Sequence, residues 1–139
     1  MRNIAIKAKP LGESYSYDES DIYDLTSGSN GLRLAVKFWN HSKKPSEEKL
    51  VEFLFEGYSR HRELDEIDLV VYWESKEFSG GFVLYEILSG GWLSYDAIGE
   101  QLLSYVTTIG LREWFICTSN CSATVLCKNA PTIKVPKDL

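Results

Sequence analysis

The sequence has few of the features on which disulfides, secretion and membrane insertion depend. Its three cysteines, Cys117, Cys121 and Cys127, make an odd number, whereas disulfide-stapled secreted domains usually carry an even one. Residues 1–7 contain no apolar stretch long enough for a signal peptide. No run approaches the roughly 20 apolar residues that a membrane helix needs. These absences predict a cytoplasmic protein with reduced thiols and no membrane contact.

Positive charge is also scarce. The 139 residues carry 15 Lys and Arg against 20 Asp and Glu, which gives a formal net charge of −5. A general nucleic-acid binder should be basic, because neutralising phosphates supplies most of its affinity. We therefore expect no nucleic-acid partner, and the acidic balance fits a partner that is itself basic.

Apolar residues, in contrast, are plentiful. Hydrophobic residues make up 44% of the chain and aromatic residues 13%. This content exceeds that of disordered chains and can form a core without metal or disulfides. The length is that of one ordinary domain, and no linker interrupts it. The sequence therefore predicts a single domain over residues 1–139.

One segment, residues 66–88, has the pattern of a central hairpin. The apolar runs Ile67–Trp73 and Phe82–Leu88 flank the polar, glycine-bearing link Glu74–Gly81. Both alternating sets of residues in the runs are apolar, which is typical of strands that are covered on both faces.

Further strands are predicted from alternation and from turn residues around short apolar runs. Leu32–Trp39 places Leu32, Leu34, Val36 and Phe38 on one face, as in a half-buried strand. The others are residues 4–8, ended by Pro10; a closing hairpin of Trp114–Thr118 and Ala123–Cys127; and a short edge strand at Ile133 and Val135 in the tail 129–139.

Two helices are predicted between these strands. The first begins at the N-cap Ser46 and has an apolar stripe at helical spacing, formed by Leu50, Val51, Leu54, Phe55 and Tyr58. The second begins at Ser94 and ends at Gly110. The predicted fold class is therefore α+β: a single domain with a mostly antiparallel sheet of about five to six strands and two main helices on one face.

Residues 11–30 differ from the rest of the chain in composition. They carry five carboxylates, three tyrosines and many serines, with no Lys or Arg, and we interpret them as a long acidic loop. Tyrosines supply contact area at low entropic cost, and carboxylates pair with Arg and Lys of a partner. The alternative is a solvated loop with a few tyrosines folded onto the core.

We therefore predict three partner-binding clusters. The first is the acidic loop, and the other two are weaker groups of carboxylates further along the chain. Their residues are Tyr15, Tyr17, Asp18, Glu19, Asp21, Tyr23 and Asp24; then Asp65, Glu66 and Asp68; then Asp96 and Glu100.

Patterns for metal or cofactor binding are incomplete. The three cysteines provide fewer than the four ligands of a structural zinc site. An EF-hand loop starting at Asp18 would need glycine where Tyr23 stands and glutamate where Ser29 stands. Gly90 and Gly91 precede a predicted helix without a nearby Lys or Arg for a phosphate. We expect no metal and no cofactor.

Two other functions remain open at this stage. His41 and His61 are the only histidines and would be the acid–base pair of a small metal-independent nuclease. Alternatively, aromatic side chains such as Trp39, Trp73 and Trp92 would line a pocket for a small ligand. Neither pattern contains a motif that brings these residues together.

In size, acidic charge, aromatic-rich α+β pattern and acidic loop, the chain resembles the immunity proteins that bacteria encode beside polymorphic or contact-dependent growth-inhibition toxins. The resemblance implies a non-enzymatic inhibitor that binds a cognate toxin domain, such as a basic nuclease, through acidic and aromatic surface residues. It assigns no role to any individual residue.

Overall fold

The computed structural model describes residues 6–14, 17, 19–40, 47–58, 60–64, 78, 82–89, 110–119 and 121–135. This part of the chain contains nine strands and no α-helix. The strands are β1 (Lys7–Ser14), β2 (Glu19–Gly28), β3 (Gly31–Asn40), β4 (Glu47–Phe55), β5 (Arg60–Leu64), β6 (Phe82–Ser89), β7 (Arg112–Cys117), β8 (Ser122–Cys127) and β9 (Thr132–Lys134).

The strands form two antiparallel sheets with a common core. The five-stranded sheet has the order β1-β6-β7-β8-β5, and the four-stranded sheet has the order β2-β3-β4-β9. The main core cluster contains buried side chains of both, such as Leu34 and Phe53 from the smaller sheet and Trp114 and Val125 from the larger one. Burial of these apolar faces against each other holds the two sheets together.

Strand β3 confirms the prediction from alternation. Leu32, Leu34 and Val36 are completely buried, and Phe38 is 3% exposed. Arg33, on the alternating set, is only half-buried. The strand pairs with β2 on one side and with β4 on the other, so it lies inside the four-stranded sheet.

The fold class α+β and the first predicted helix are wrong. Residues from Glu47 to Phe55 form strand β4, in which Val51, Phe53 and Phe55 are buried and pair with the core side chains of β3. Val51 and Phe55 fit both a helical stripe and a strand face, and pairing with β3 selects the strand. Residues 94–109, the body of the second predicted helix, lie outside the described residues.

The long acidic loop is also a wrong prediction. Strand β1 continues through Pro10 to Ser14, and β2 occupies most of the remaining segment. Among the described strands, β1 has β6 as its one neighbour, and a proline is tolerated in an edge strand because its missing N–H can face away from the ladder.

The C-terminal predictions are confirmed. Strands β7 and β8 form the closing hairpin, and β9 pairs with β4 as a short strand at the end of the smaller sheet.

The second strand of the predicted central hairpin is β6. Its residues Val83, Leu84, Tyr85 and Ile87 are all buried, as expected for a strand covered on both faces. Residues 67–73, its predicted hairpin partner, lie outside the described residues; β6 pairs with β1 and β7.

The turn between β2 and β3 depends on one glycine. Gly31 has φ +119°, a backbone conformation that other residues rarely adopt. A Cβ atom on Gly31 would lie 2.4 Å from the backbone oxygen of Phe55 in β4. The close approach of β3 to the end of β4 therefore requires glycine here, and this contact positions the β2–β3 hairpin.

Candidate binding surface on strand β2

Five of the predicted contact residues lie in the part of the chain that the structure describes. They are Tyr17, Glu19, Asp21, Tyr23 and Asp24, all on β2 or just before it. The remaining predicted residues, Tyr15, Asp18, Asp65, Glu66, Asp68, Asp96 and Glu100, lie outside the described residues.

Tyr23 stands out at an irregularity in β2. The pairing with β3 shifts between Ile22, opposite Val36, and Asp24, opposite Ala35, so Tyr23 is the extra residue of a β-bulge. Its side chain is 65% exposed. Bulges re-aim side chains, and this one presents a large aromatic ring to solvent on the acidic strand.

The bulge also keeps the carboxylates on one face. Before it, Glu19 and Asp21 lie opposite Trp39 and Lys37, and after it Asp24 lies opposite Ala35. This face of the smaller sheet points away from the shared core, and we call it the outer face. It carries five carboxylates and three cations, a net formal charge of −2: Glu19, Asp21, Asp24, Glu48 and Glu52, with Arg33, Lys37 and Lys134.

Asp24 takes part in a charge network on the outer face. Its Oδ2 lies 3.1 Å from Nη1 of Arg33, and it accepts a hydrogen bond of 3.1 Å from the Thr26 hydroxyl. Arg33 also donates to Glu52, and this hydrogen bond is the largest cause of the raised pKa of the Arg33 guanidinium. The side chain of Asp24 remains 49% exposed, so a partner can reach it.

A second pair of contacts surrounds Lys37 on the same face. Its Nζ lies 3.5 Å from Oε2 of Glu48 and 5.3 Å from the ring centroid of Tyr23. The cation–π contact places the Tyr23 ring above the outer face, next to the carboxylates. Tyr23 and Asp24 thus form one exposed patch of aromatic and acidic character.

Other predicted residues serve the fold instead. The ring of Tyr17 lies 5.4 Å from that of Phe38 and packs against the core. Oδ1 of Asp21 accepts hydrogen bonds from the Ile22 amide at 2.8 Å and from the Cys121 thiol at 3.1 Å. For Tyr17, the alternative of tyrosines folded onto the core is therefore the correct one.

The first half of β2 is attached to the β7–β8 turn by a reciprocal pair of serines. The Ser20 amide donates to Oγ of Ser119 at 2.8 Å, and this hydroxyl donates to the Ser20 carbonyl at 2.8 Å. The Ser119 amide donates to Oγ of Ser20 at 3.1 Å. These bonds join the two sheets across a sequence separation of 99 residues.

The nuclease hypothesis receives no further support from the described residues. His41 lies outside them. His61 is half-buried in β5, opposite Val125, and its buried Nδ1 atom has no hydrogen bond to a described residue. Arg62 extends to the opposite face of the sheet, where its Nε donates to the Thr124 hydroxyl at 3.2 Å.

Of the aromatic residues in the small-ligand hypothesis, Trp39 lies half-buried on the outer face. Trp73 and Trp92 lie outside the described residues.

The three cysteines are free thiols. Burial raises the pKa of Cys117, and burial together with Asp21 raises that of Cys121. The Cys127 thiol is buried and donates to the carbonyl of Glu56 at 3.2 Å.

Within the described ranges, no three His, Cys, Asp or Glu side chains group as metal ligands. The same ranges contain no helix of the length and apolarity needed to cross a membrane.

Sequence reasoning missed the partners of the acidic strand. Alternation in β3 placed Arg33 and Lys37 on one face, but the sequence did not indicate that β2 pairs there. Glu48 and Glu52 were assigned to a helix, so their position beside these cations was not predicted. Placing all of them together would have required a strand interpretation of both residues 19–28 and residues 47–55.

Comparison with protein families, with curated proteins and with solved structures gives no match for this chain.

Proposed function

We propose that this protein is a non-enzymatic binding protein that recognises a basic partner through Tyr23, Asp24 and the outer face of β2. The observation that carries the proposal is the exposed Tyr23 ring at the bulge of an acidic strand. In keeping with the class that the sequence resembles, the partner we propose is a cognate toxin domain, and binding neutralises it.

Physical chemistry supports this choice of contact residues. Exposed tyrosines are enriched among the residues that dominate binding energy, because they bury a large area and lose few rotamers. Carboxylates around such an anchor attract a basic partner and orient it. Tyr23 supplies the anchor here, and the net charge of −2 on the outer face supplies the attraction.

The proposal also defines how inhibition works. A nuclease toxin binds its substrate with Lys and Arg side chains. An acidic face that pairs with those cations competes with the substrate's phosphates, without any chemistry on the inhibitor. Asp24 already has Arg33 as a partner, so a cation of the toxin shares the carboxylate with Arg33.

The test is co-expression with the protein encoded by the adjacent gene, followed by measurement of complex affinity. We expect Tyr23→Ala to weaken the complex about tenfold, because loss of an aromatic anchor costs more than about 1 kcal/mol. Asp24→Asn should lower the association rate, and added salt should reduce this difference.

Two control variants make the same kinds of change away from β2: one truncates a large exposed side chain, and the other neutralises a carboxylate. Leu88→Ala removes a large side chain that is 59% exposed on the other sheet, and Glu63→Gln neutralises an exposed carboxylate on β5. Both should bind like the unchanged protein. If Tyr23→Ala and Asp24→Asn bind as well as these controls, or if no complex forms, the proposal is wrong.

A further inference from the structure

The backbone of β2 has one side directed away from β3, and two independent observations show which residues face it. Both the N–H and the C=O of Ser20 bond to the Ser119 hydroxyl, so this residue faces away from β3. In an antiparallel strand this orientation recurs at every second residue. Ile22, whose amide bonds to Asp21 Oδ1, agrees with the alternation.

The turn at the other end of β2 shows which residues after the bulge direct their backbone groups away from β3. A two-residue loop joins Gly28 to Gly31, and the residues that flank such a loop form a hydrogen-bonded pair. The next hydrogen-bonded pair is then Thr26 with Arg33. Leu25 and Ser27 therefore direct their N–H and C=O groups away from β3.

The edge of β2 that faces away from β3 is covered in its first half and open in its second half. In the first half, the β7–β8 turn covers the edge, because Ser119 bonds to Ser20 and Cys121 to Asp21. In the second half, Leu25 and Ser27 make no hydrogen bond to a described residue outside the β2–β3 hairpin, and Thr26, Ser27 and Gly28 are exposed. The described strands leave this half of β2 with β3 as its single neighbour.

We propose that residues 24–28, the open half of β2, bind an extended basic segment of the partner by strand addition. This inference rests on the proposed function and names the mode of contact. Leu25 and Ser27 each offer one N–H and one C=O, and the added strand satisfies all four groups, as in other cases of β-augmentation.

The side chains of the open half select the chemistry of the added strand. Asp24 and Thr26 lie on the outer face, where Oδ1 of Asp24 makes no hydrogen bond to another described residue. Leu25 lies on the opposite face and packs against the core. The matching strand therefore alternates cationic residues on the outer side with apolar residues on the inner side.

A second copy of this chain is a poorer occupant of the same edge. Antiparallel pairing of the open halves of two copies would bring together two segments that each carry Asp24 and no cation, next to the further carboxylates Glu19 and Asp21 of the same strand. Like charges across a strand pair are destabilising. The charge of β2 thus favours a basic partner over self-association.

The first test uses a short peptide that alternates lysine with valine, and a glutamate–valine peptide as its charge control. The full chain is titrated with each, and amide exchange is followed by NMR. We expect the basic peptide to slow exchange at Leu25 and Ser27, and the acidic peptide to have no effect. The inference is overturned by unchanged exchange at both amides, by equal effects of the two peptides, or by self-association through this edge.

The second test uses variants of one position. Ser27→Pro removes an edge-facing N–H without removing a bond to β3, and Ser27→Ala removes only the hydroxyl. We expect Ser27→Pro to bind the basic peptide and the toxin about tenfold more weakly and Ser27→Ala to bind normally. If Ser27→Pro melts like the unchanged protein and binds normally while Tyr23→Ala binds weakly, strand addition is wrong and the proposed function stands.

Discussion

The serine pair between the two sheets permits a quantitative prediction. Ser119→Ala removes the hydroxyl that accepts from the Ser20 amide and donates to the Ser20 carbonyl, both at 2.8 Å. The turn that presents Ser119 is itself bonded, because the Cys121 amide donates to the Thr118 hydroxyl at 3.1 Å. The variant therefore loses two preformed bonds and leaves the turn intact.

The magnitude follows from the number of bonds and from their exposure. A protein hydrogen bond contributes about 0.5–1.5 kcal/mol net. Both bonds of the Ser119 hydroxyl are exposed, so water replaces them in part and the lower end of this range applies. We expect Ser119→Ala to lower the free energy of unfolding by about 1 kcal/mol, or Tm by about 3 °C for a domain of this size.

A matched variant and a local probe make the prediction specific. Ser20→Ala removes only the hydroxyl that accepts from the Ser119 amide at 3.1 Å. It should lower the free energy of unfolding by about half as much as Ser119→Ala does. In Ser119→Ala, amide hydrogen exchange should accelerate at Ser20 but not at Asp21, whose amide pairs with β3. Urea denaturation and exchange NMR provide these measurements. Equal losses in the two variants, or unchanged exchange at Ser20, would refute the role assigned to the serine pair.

Two further predictions concern the turn glycines and a buried tyrosine. Gly31→Ala should lower the free energy of unfolding by about 3 kcal/mol, because φ is +119° and the new Cβ would lie 2.4 Å from a β4 backbone oxygen. In the control variant Gly28→Ala the new Cβ meets no atom within 4 Å, so thermal melts should show almost no change in stability. Burial raises the pKa of Tyr85 to about 12, above the value near 10 of an unfolded tyrosine. The unfolded chain thus loses this proton first, so stability is intact below pH ~10 and falls at higher pH, by about 1 kcal/mol at pH ~11. Urea denaturation between neutral pH and pH ~11 should show a smaller loss of unfolding free energy in Tyr85→Phe than in the unchanged protein. An equal loss in both proteins would contradict the assignment of this pH dependence to Tyr85.

Parts of the fold were predictable because local pattern and tertiary environment agree. In β3, one apolar set faces the core and the other set faces outward, so alternation alone identifies the strand. In β7 and β8, a polar turn separates two dense apolar runs, and antiparallel pairing follows from the short connection. No distant contact changes the outcome for these strands.

Strands β4 and β2 were not predictable in this way. The spacing of Val51 and Phe55 fits both a helix and a strand, and only pairing with β3 decides between them. Strand β2 contains two Asp, one Glu and one Gly among its ten residues, and these residue types are depleted in strands. It forms nonetheless because Ile22 and Leu25 pack against the core while its polar residues stay at the surface.

The acidic character of residues 11–30 and their three tyrosines can be read from composition without knowledge of the fold. Which of these residues are exposed for binding becomes apparent only when the strands pair and the sheets pack. Tyr17 and Asp21 are held by Phe38 and by a turn about 100 residues away, whereas the bulge in β2 leaves Tyr23 in solvent and Asp24 half-exposed beside Arg33. Exposure depends on which strands pair and on how the two sheets pack, and the composition of one segment contains neither piece of information.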